Sequence, residues 1–378
     1  SQVDAPTGSL LAYATAPGNV AADGEGENGL YTSHLLREMR VQDAKIEDVF
    51  KRVRLGVRRA SQGRQIPWES TSLEDDFYFL PPANLKKLSE EELARQFAEE
   101  AALWEKAQQA GQIAAVEDYI RRYPSGHFSE LAQVRLDRML AKQGEKKVGL
   151  VNTAANPFTK GTGVVDLNYR VGDRYVWRRF DLLTKIEEKK IINKVTNVTD
   201  ERIIYGDGAF VTDILGNTLK RPDGAIFGPS QLFISEYSLG KKWNTRYSSA
   251  YANGWKDTVE IDFRVAARET IAVPAGNFDC YRVEGNGWEL ANGLSIEFKY
   301  WVAPRQVNCR KRRRVVFISA APAMIVGFIP IAMAIYGKRV TVPICAEACI
   351  DMPRARTIAW VVDFEIFKGV DCAIAGSF

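Results

Sequence analysis

The stretch SLLAYATAPGNVAADGEGENGLYTSHLL, residues 9–36, decides the fold of the N-terminal part of the chain. Its start, Leu10 to Ala14, is a short apolar run that predicts a buried strand, and Pro17-Gly18 ends that strand with turn residues. A loop rich in glycine and acid follows. Apolar residues then recur at helical spacing from Leu30 to Met39, which predicts a helix. The unit is strand, acidic loop and helix, and loops at strand ends are where binding residues usually lie.

Three motifs within the first 80 residues carry a family resemblance. Residues 13–18, YATAPG, are similar to a strand end of the form S-T-A-P-G. Residues 29–36, GLYTSHLL, open the next helix, and residues 63–73 followed by 76–79 look like a closing Q-x-P strand pair. Together these motifs resemble the small-subunit half of the caspase-like cysteine peptidases of family C14, which include caspases, metacaspases and bacterial relatives. The resemblance implies a partial caspase-like α/β sandwich over residues 1–80.

The resemblance also implies where the catalytic residues belong. In this family the His and Cys lie upstream of the matched region, the Cys in a Q-A-C-x-G type segment. No such segment occurs here: the chain has two histidines and five cysteines, of which His34 lies on the apolar face of the first helix and His127 lies in a Pro-Ser-Gly turn. No catalytic residue is assigned. The chain is expected to be a fragment whose partner is the missing large-subunit half of the same protein.

Substrate selection is the function that the resemblance leaves to this region. Caspases that cut after Asp carry an Arg five residues past the Gly of S-T-A-P-G, and here that count leads from Gly18 to Asp23. An Asp at this place implies cleavage after Arg or Lys, as in metacaspases, with Glu25 and Glu27 adding negative charge. The other interpretations are a solvated Asp23-Gly24 turn and a calcium loop. The calcium pattern lacks its glycine at Asn28 and its bidentate Glu at His34.

Residues 45–57 predict a second amphipathic helix, whose basic residues either face solvent or dock an acidic partner. Residues 83–146 then change to a helical composition, with a capping box at Ser89 and Glu92. Three helices are expected there, ending near Gly111, at Tyr123-Pro124 and after Leu140. The pattern resembles single helical-hairpin repeats beside bacterial envelope domains. It indicates a small helical hairpin that serves as a linker, a docking module or a protein-binding groove.

Residues 160–303 switch to alternating patterning with Asx-Gly turns, which predicts an antiparallel half-barrel or sandwich. The turn signals include Asp207-Gly208, Asn253-Gly254 and Gly285-Asn286. The many aromatic residues either form the core or line a cleft for a lipid, glycan or peptide. Residues 270–284 resemble a V-P-A-G hairpin of bacterial envelope β-domains, so this region is expected to be an accessory domain. With no His and one Cys, it is not expected to hold a metal.

Residues 304–378 break the pattern of the preceding region. Arg310 to Arg314 is followed by 22 uncharged residues, Val315–Tyr336, which by length alone would span a bilayer. Two prolines lie inside this run, four of the five cysteines lie in this tail, and the alternating pattern stops abruptly at residue 304. These features favour a frame-shifted or faulty gene end over a membrane anchor, and membrane association is left open.

Composition bounds the function. The hydrophobic content of 46% is that of a globular protein, and the net charge of +4 comes without a basic stripe, so nucleic-acid binding is not expected. No cofactor is indicated. The sequence predicts a multidomain α/β plus β protein, a fragment of a caspase-like endopeptidase acting on peptides or proteins. The alternative is a non-enzymatic scaffold, and the bacterial resemblances favour a periplasmic or cell-envelope location for either.

Overall fold

A computed structural model gives the structure of the chain. It describes residues 8–16, 19–22, 27–71, 73, 75–82, 88–148, 162–181, 187–273, 276–303, 313–321, 340–342, 346–348 and 358–365. The chain divides into two compact units, Ser1–Thr162 with Ser238–Lys241, and Gly163–Tyr237 with Lys242–Phe378.

The first unit begins with a strand pair and two helices. β1 (Leu10–Tyr13) pairs antiparallel with β2 (Trp68–Thr71), and α1 (Leu30–Glu38) and α2 (Ile46–Ala60) lie between them in sequence. The predicted strand, loop and helix are all present, although β1 is only partly buried. The mixed α/β content agrees with the fold expected for this region.

The two helices pack through an apolar face of α2. Val49, Val53 and Val57 form its buried centre, and Leu35 and Met39 of α1 lie against them. Gly56 lets the helices approach closely, because a Cβ at this position would lie 2.4 Å from Nδ1 of His34. The apolar spacing that predicted both helices is therefore also the spacing that joins them.

The strand predicted over residues 76–79 is wrong. Only one residue of this segment pairs, in an isolated bridge between Tyr78 and Lys45, and the Ile46 amide donates to the Phe77 carbonyl at 2.8 Å. Lys45 is followed at once by α2, so the opposing chain offers no extended residues to continue a ladder.

Three helices complete the first unit: α3 (Glu90–Ala110), α4 (Ile113–Arg122) and α5 (Ser129–Lys142). We call them the helical module. The predicted capping box is present, with the Glu92 amide donating to Ser89 Oγ at 3.3 Å and the Ser89 amide donating to Glu92 Oε2 at 2.9 Å. Gly111 ends α3 in the left-handed conformation at φ 61°. The core of the module is apolar and includes Trp104, Tyr119, Phe128, Leu136 and Leu140.

Basic residues near the end of α2 pair with acidic side chains that follow later in the chain. Arg58 is 5% exposed and pairs with Asp137 of α5 and with Glu145. Arg59 pairs with Glu117 of α4 at 2.5 Å. The acidic partner that the sequence left open is thus the helical module of the same chain.

Strands dominate the second unit. They are β3 (Thr162–Val164), β4 (Arg174–Asp181), β5 (Glu187–Val198), β6 (Arg202–Tyr205), β7 (Phe210–Asp213), β8 (Thr218–Lys220), β9 (Ile226–Phe227), β10 (Glu236–Ser238), β11 (Lys242–Ala250), β12 (Lys256–Val273), β13 (Gly276–Glu289), β14 (Leu294–Val302), β15 (Arg313–Ala321), β16 (Val340–Val342), β17 (Ala346–Ala348) and β18 (Ile358–Glu365).

Twelve of the described strands form one antiparallel sheet that closes on itself. Its order is β11-β12-β13-β14-β15-β18-β4-β5-β6-β7-β8-β9, and β9 pairs back with β11. We call it the closed sheet. It differs from the predicted half-barrel or sandwich because β15 and β18, which come from residues 304–378, connect β14 with β4.

The described part of the tail contributes strands β15 to β18, and the interpretation of residues 304–378 as a faulty gene end or a membrane anchor stays a prediction. Residues 315–321 of the uncharged run lie in β15, and its remainder, 322–336, lies outside the described residues. Among the helices that the structure describes, none is long and apolar enough to cross a membrane.

Most of the aromatic residues of the closed sheet are core. Tyr175, Tyr247 and Tyr300 are at most 4% exposed, whereas Trp255 and Trp288 are 40% and 48% exposed. The Tyr300 hydroxyl donates to the Leu232 carbonyl at 2.6 Å, so its polar end is satisfied inside the core.

One predicted turn is wrong. Gly285-Asn286 lies inside β13, where Gly285 pairs with Phe263 across the sheet. A Cβ on Gly285 would lie 2.2 Å from Cε1 of Phe263, so the glycine makes room for that ring. In contrast, Gly208 and Gly254 have φ of 89° and 83° and form the turns that the sequence predicts.

Candidate functional site

The loop that joins β1 to α1 is the candidate functional site. We call residues 14–29 the specificity loop. Of the three acidic residues predicted to bind substrate, Glu27 is exposed near the start of α1, and Asp23 and Glu25 lie outside the described residues. The structure does describe Ala22, which directly precedes Asp23 in the chain.

The side chain of Gln65 clamps the specificity loop. Its Nε2 donates to the Ala14 carbonyl at 2.8 Å, and its Oε1 accepts from the Ala22 amide at 2.9 Å. Gln65 is 2% exposed, so its own amide group is buried, whereas Ala22 is exposed. One amide side chain therefore fixes the chain where it leaves β1 and again immediately before Asp23.

The turn after α2 holds Gln65 in place. Ser61 Oγ accepts from the Gln65 amide at 3.0 Å and lies 3.0 Å from the Gln65 carbonyl, to which it donates. Gly63 has a φ of 80°, which favours glycine, and its amide donates to the Arg58 carbonyl at 2.9 Å. The end of α2, this turn and β2 thus position the clamp as one rigid connection.

The role of Gln65 is not visible in the sequence, where this residue is only part of a Q-x-P motif. A glutamine among buried neighbours, directly before Ile66 and Pro67, is a signal that its amide has partners, because buried polar groups are almost always hydrogen-bonded. The sequence does not show that those partners lie more than 40 residues away.

Tyr31 lies at the start of α1, behind the loop. Burial and the negative charge of Glu69 on β2 raise the pKa of Tyr31 to about 12, so its hydroxyl stays protonated. Arg54 lies 3.8 Å from Glu69, which gives that carboxylate a cationic neighbour. Glu69 of β2 thus places a further negative charge near Tyr31.

The two histidines occupy structural positions. His34 is half-buried on α1, and its Nδ1 lies 3.0 Å from Nη2 of Arg37. Burial, and then Arg37, lower the pKa of His34, so it is neutral at pH 7. His127 Nδ1 lies 2.8 Å from Oε2 of Glu100, whose other oxygen accepts a hydrogen bond from Tyr119 at 2.6 Å.

Cys280 is the cysteine found in the described residues. It lies on β13 and is 0% exposed, and its Sγ contacts the Phe278 carbonyl at 3.5 Å. Burial, and then Asp279 and Glu269, raise the pKa of Cys280 to about 12. The reactive form of a cysteine is the thiolate, so this residue is not suited to be a nucleophile at neutral pH. Within the described residues, no cluster of three or more His, Cys, Asp or Glu residues is arranged to hold a metal.

The N-terminal region thus combines a strand pair, two helices and a loop that Gln65 holds at the end of β1. Residues 1–78 match the family model of the caspase domain, peptidase C14, over about a fifth of the chain. This match supports a place for the N-terminal region in the caspase-like peptidase family, whose substrates are proteins. No curated protein and no solved structure matches the chain.

Proposed function

We propose that residues 1–80 are the substrate-selecting half of a caspase-like cysteine endopeptidase that cleaves after Arg or Lys. Asp23 binds the basic side chain of the substrate, and Glu25 and Glu27 add negative charge around it. The observation that supports this most is the Gln65 clamp, which fixes the backbone at Ala22, one peptide bond before Asp23. A residue that selects substrate requires a fixed backbone position, because a misplaced carboxylate binds the substrate side chain weakly.

The charge of the loop supports a basic substrate. A carboxylate pairs with a guanidinium through two parallel hydrogen bonds, and with an ammonium as a point charge. Residues 14–29 contain three acidic side chains and no Lys or Arg. A substrate with an acidic side chain would meet repulsion from all three, so the loop also selects against the substrates of caspases that cut after Asp.

We further propose that the catalytic Cys and His come from the large-subunit half of the same protein. The thiolate of that half attacks the peptide carbonyl, its His acts as acid and base, and backbone amides hold the oxyanion. His34, His127 and Cys280 do not serve in these roles, because each is held in a structural contact.

Peptide binding tests the selection step without the dyad. Fluorescein-labelled tetrapeptides that end in Arg, in citrulline or in Asp are titrated with the chain, and binding is measured by fluorescence anisotropy. Citrulline keeps the shape of Arg and removes its charge. We expect the Arg peptide to bind at least about tenfold more tightly than the other two, the equivalent of one charged hydrogen bond.

The matched variants are Asp23→Asn and Asp75→Asn. Both remove one negative charge from the N-terminal region, but Asp75 is exposed and outside the loop. We expect Asp23→Asn to abolish the preference for Arg over citrulline and Asp75→Asn to keep it. Equal binding of all peptides contradicts the proposal and favours the scaffold, and preferential binding of the Asp peptide contradicts the assigned specificity.

A further inference from the structure

The end of α2 connects the helical module with the specificity loop. Four side chains of α2 contact the stretch from α4 to the segment after α5. Arg58 and Arg59 form the ion pairs described above; Arg52 Nε donates to the Arg121 carbonyl at 2.9 Å, and Lys51 Nζ donates to Ser125 Oγ at 2.8 Å. The module is therefore docked against α2 from Lys51 to Arg59.

Arg58 is the most deeply buried of these contacts. Its Nε donates to Oε1 of Glu145 at 2.8 Å, and its Nη1 donates to Asp137. Burial alone lowers the pKa of Arg58, but Asp137 and Glu145 more than offset this, so its pKa is raised. The guanidinium stays charged, and its position depends on both carboxylates of the module side.

The backbone carbonyl of Arg58 is the first member of the hydrogen-bond network that holds Gln65. The Arg58 carbonyl accepts from the Gly63 amide at 2.9 Å and lies 3.2 Å from Ser61 Oγ. Ser61 Oγ accepts from the Gln65 amide, and the Gln65 side chain bonds to the Ala22 amide. The Val148 amide, from the segment after α5, donates to the Gly63 carbonyl at 3.1 Å and touches the same turn.

We propose that docking of the helical module positions the backbone at Ala22, with Arg58 and Gln65 as positioning residues. The module is then a regulatory element: a partner that pulls it away from α2 would loosen the turn at residues 61–65 and release Ala22. The consequence for substrates rests on the function proposed above, whereas the coupling between module and loop does not. Coupling of this kind requires direct evidence that a change at one end is felt at the other.

Amide hydrogen exchange measures both ends in one experiment on the full chain. The Val148 amide reports docking of the module, and the Ala22 amide reports the clamp. We expect Arg58→Gln to speed exchange at both amides by about tenfold or more, because it removes a buried ion pair and loosens the turn. Gln65→Ala, which removes the acceptor for the Ala22 amide, should speed exchange at Ala22 alone.

Two further variants keep the test decisive. Glu145→Gln retains an acceptor for Arg58 and weakens docking mildly, so it serves if Arg58→Gln fails to fold by circular dichroism. Ser125→Ala removes the acceptor for Lys51, which lies on α2 ten positions before Ser61, and should leave Ala22 unchanged. A variant that exposes Val148 while Ala22 stays protected overturns the inference.

The peptide titration separates this inference from the proposed function. If both hold, Arg58→Gln weakens binding of the Arg peptide but keeps a preference for Arg over citrulline, because the loop still carries its charges. If Ala22 is released in Arg58→Gln but the wild-type chain does not distinguish Arg from citrulline, the coupling stands and the proposed function fails.

Discussion

Charged side chains are buried in both units of this protein, but they connect different elements. In the first unit they join separate groups of elements, as Arg58 joins α2 to Asp137 and Glu145. In the closed sheet they pair neighbouring strands, as Arg246 of β11 pairs with Glu260 of β12, whereas the pair of Arg264 with Glu284 is more exposed, with the arginine side chain 64% exposed. The cost of losing a charge should therefore follow the burial of its pair.

Arg58→Gln should have the largest effect on stability. It leaves Glu145 buried without its charged partner, which costs about 3–5 kcal/mol of unfolding free energy. Urea denaturation followed by far-UV circular dichroism measures the loss. The control is Arg264→Gln, which should cost less than about 1 kcal/mol because its pair is exposed. Equal losses in the two variants would contradict the expected difference between a buried and an exposed pair.

Gly285→Ala should have the next largest effect. The added methyl group meets the ring of Phe263, and overpacking of this kind costs about 1–3 kcal/mol. Thermal unfolding followed by near-UV circular dichroism reports on the closed sheet. Adding Phe263→Leu should recover part of the loss, since the smaller side chain leaves room for the methyl group. A double variant as unstable as the sum of the single ones would contradict the assigned contact.

Elements governed by local pattern were predictable from the sequence. The capping box at Ser89, the helix stop at Gly111 and the turns at Gly208 and Gly254 all follow from chemistry within a few residues. The prediction at Gly285 was wrong because the sequence does not distinguish a glycine that makes space for a distant ring from a glycine that forms a turn. The closure of the sheet was also hidden, since it depends on strands β15 and β18 from a tail whose local pattern resembles no strand meander.

The candidate site was predictable only in part. The family resemblance located the specificity loop and its acidic residues, because those follow a short ordered motif. The clamp was not visible, since Gln65 reaches Ala22 across 43 positions of sequence. The same holds for Arg58 and Glu145, which are separated by 87 positions. Alternating and helical spacing predict which face of an element is buried. They do not predict which distant residue forms a hydrogen bond or an ion pair with a polar side chain on that face.

Ser89→Ala should destabilise the start of α3 by about 1 kcal/mol, because the Glu92 amide loses its acceptor. Helix content and urea denaturation measure the change. Ser89→Asp keeps an acceptor of the same reach and should remain within a few tenths of a kcal/mol of the natural chain. A similar loss in both variants would show that the cap is not the cause.

The smallest expected effect is a pH dependence at Asp137. Burial raises the pKa of Asp137, but the charges of Lys147 and then Arg58 lower it by more than burial raises it. The pKa of Asp137 is therefore below the ordinary value of 3.8. A carboxyl with a lowered pKa stabilises the fold above pH 3.8 and loses that contribution as the pH falls through the folded pKa. We expect Asp137→Asn to flatten the stability profile below about pH 4. An unchanged acid slope would contradict the pairing.

The central claim is that the specificity loop selects a basic side chain, and cleavage by the assembled enzyme tests it most directly. The chain, joined to its large-subunit half, is given fluorogenic peptides that end in Arg, Lys or Asp, with Asp23→Ala and Asp75→Ala as matched variants. We expect cleavage after Arg and Lys that falls at least about tenfold in kcat/KM in Asp23→Ala and is unchanged in Asp75→Ala. Cleavage after Asp, or cleavage after Arg that is indifferent to Asp23, would contradict the account.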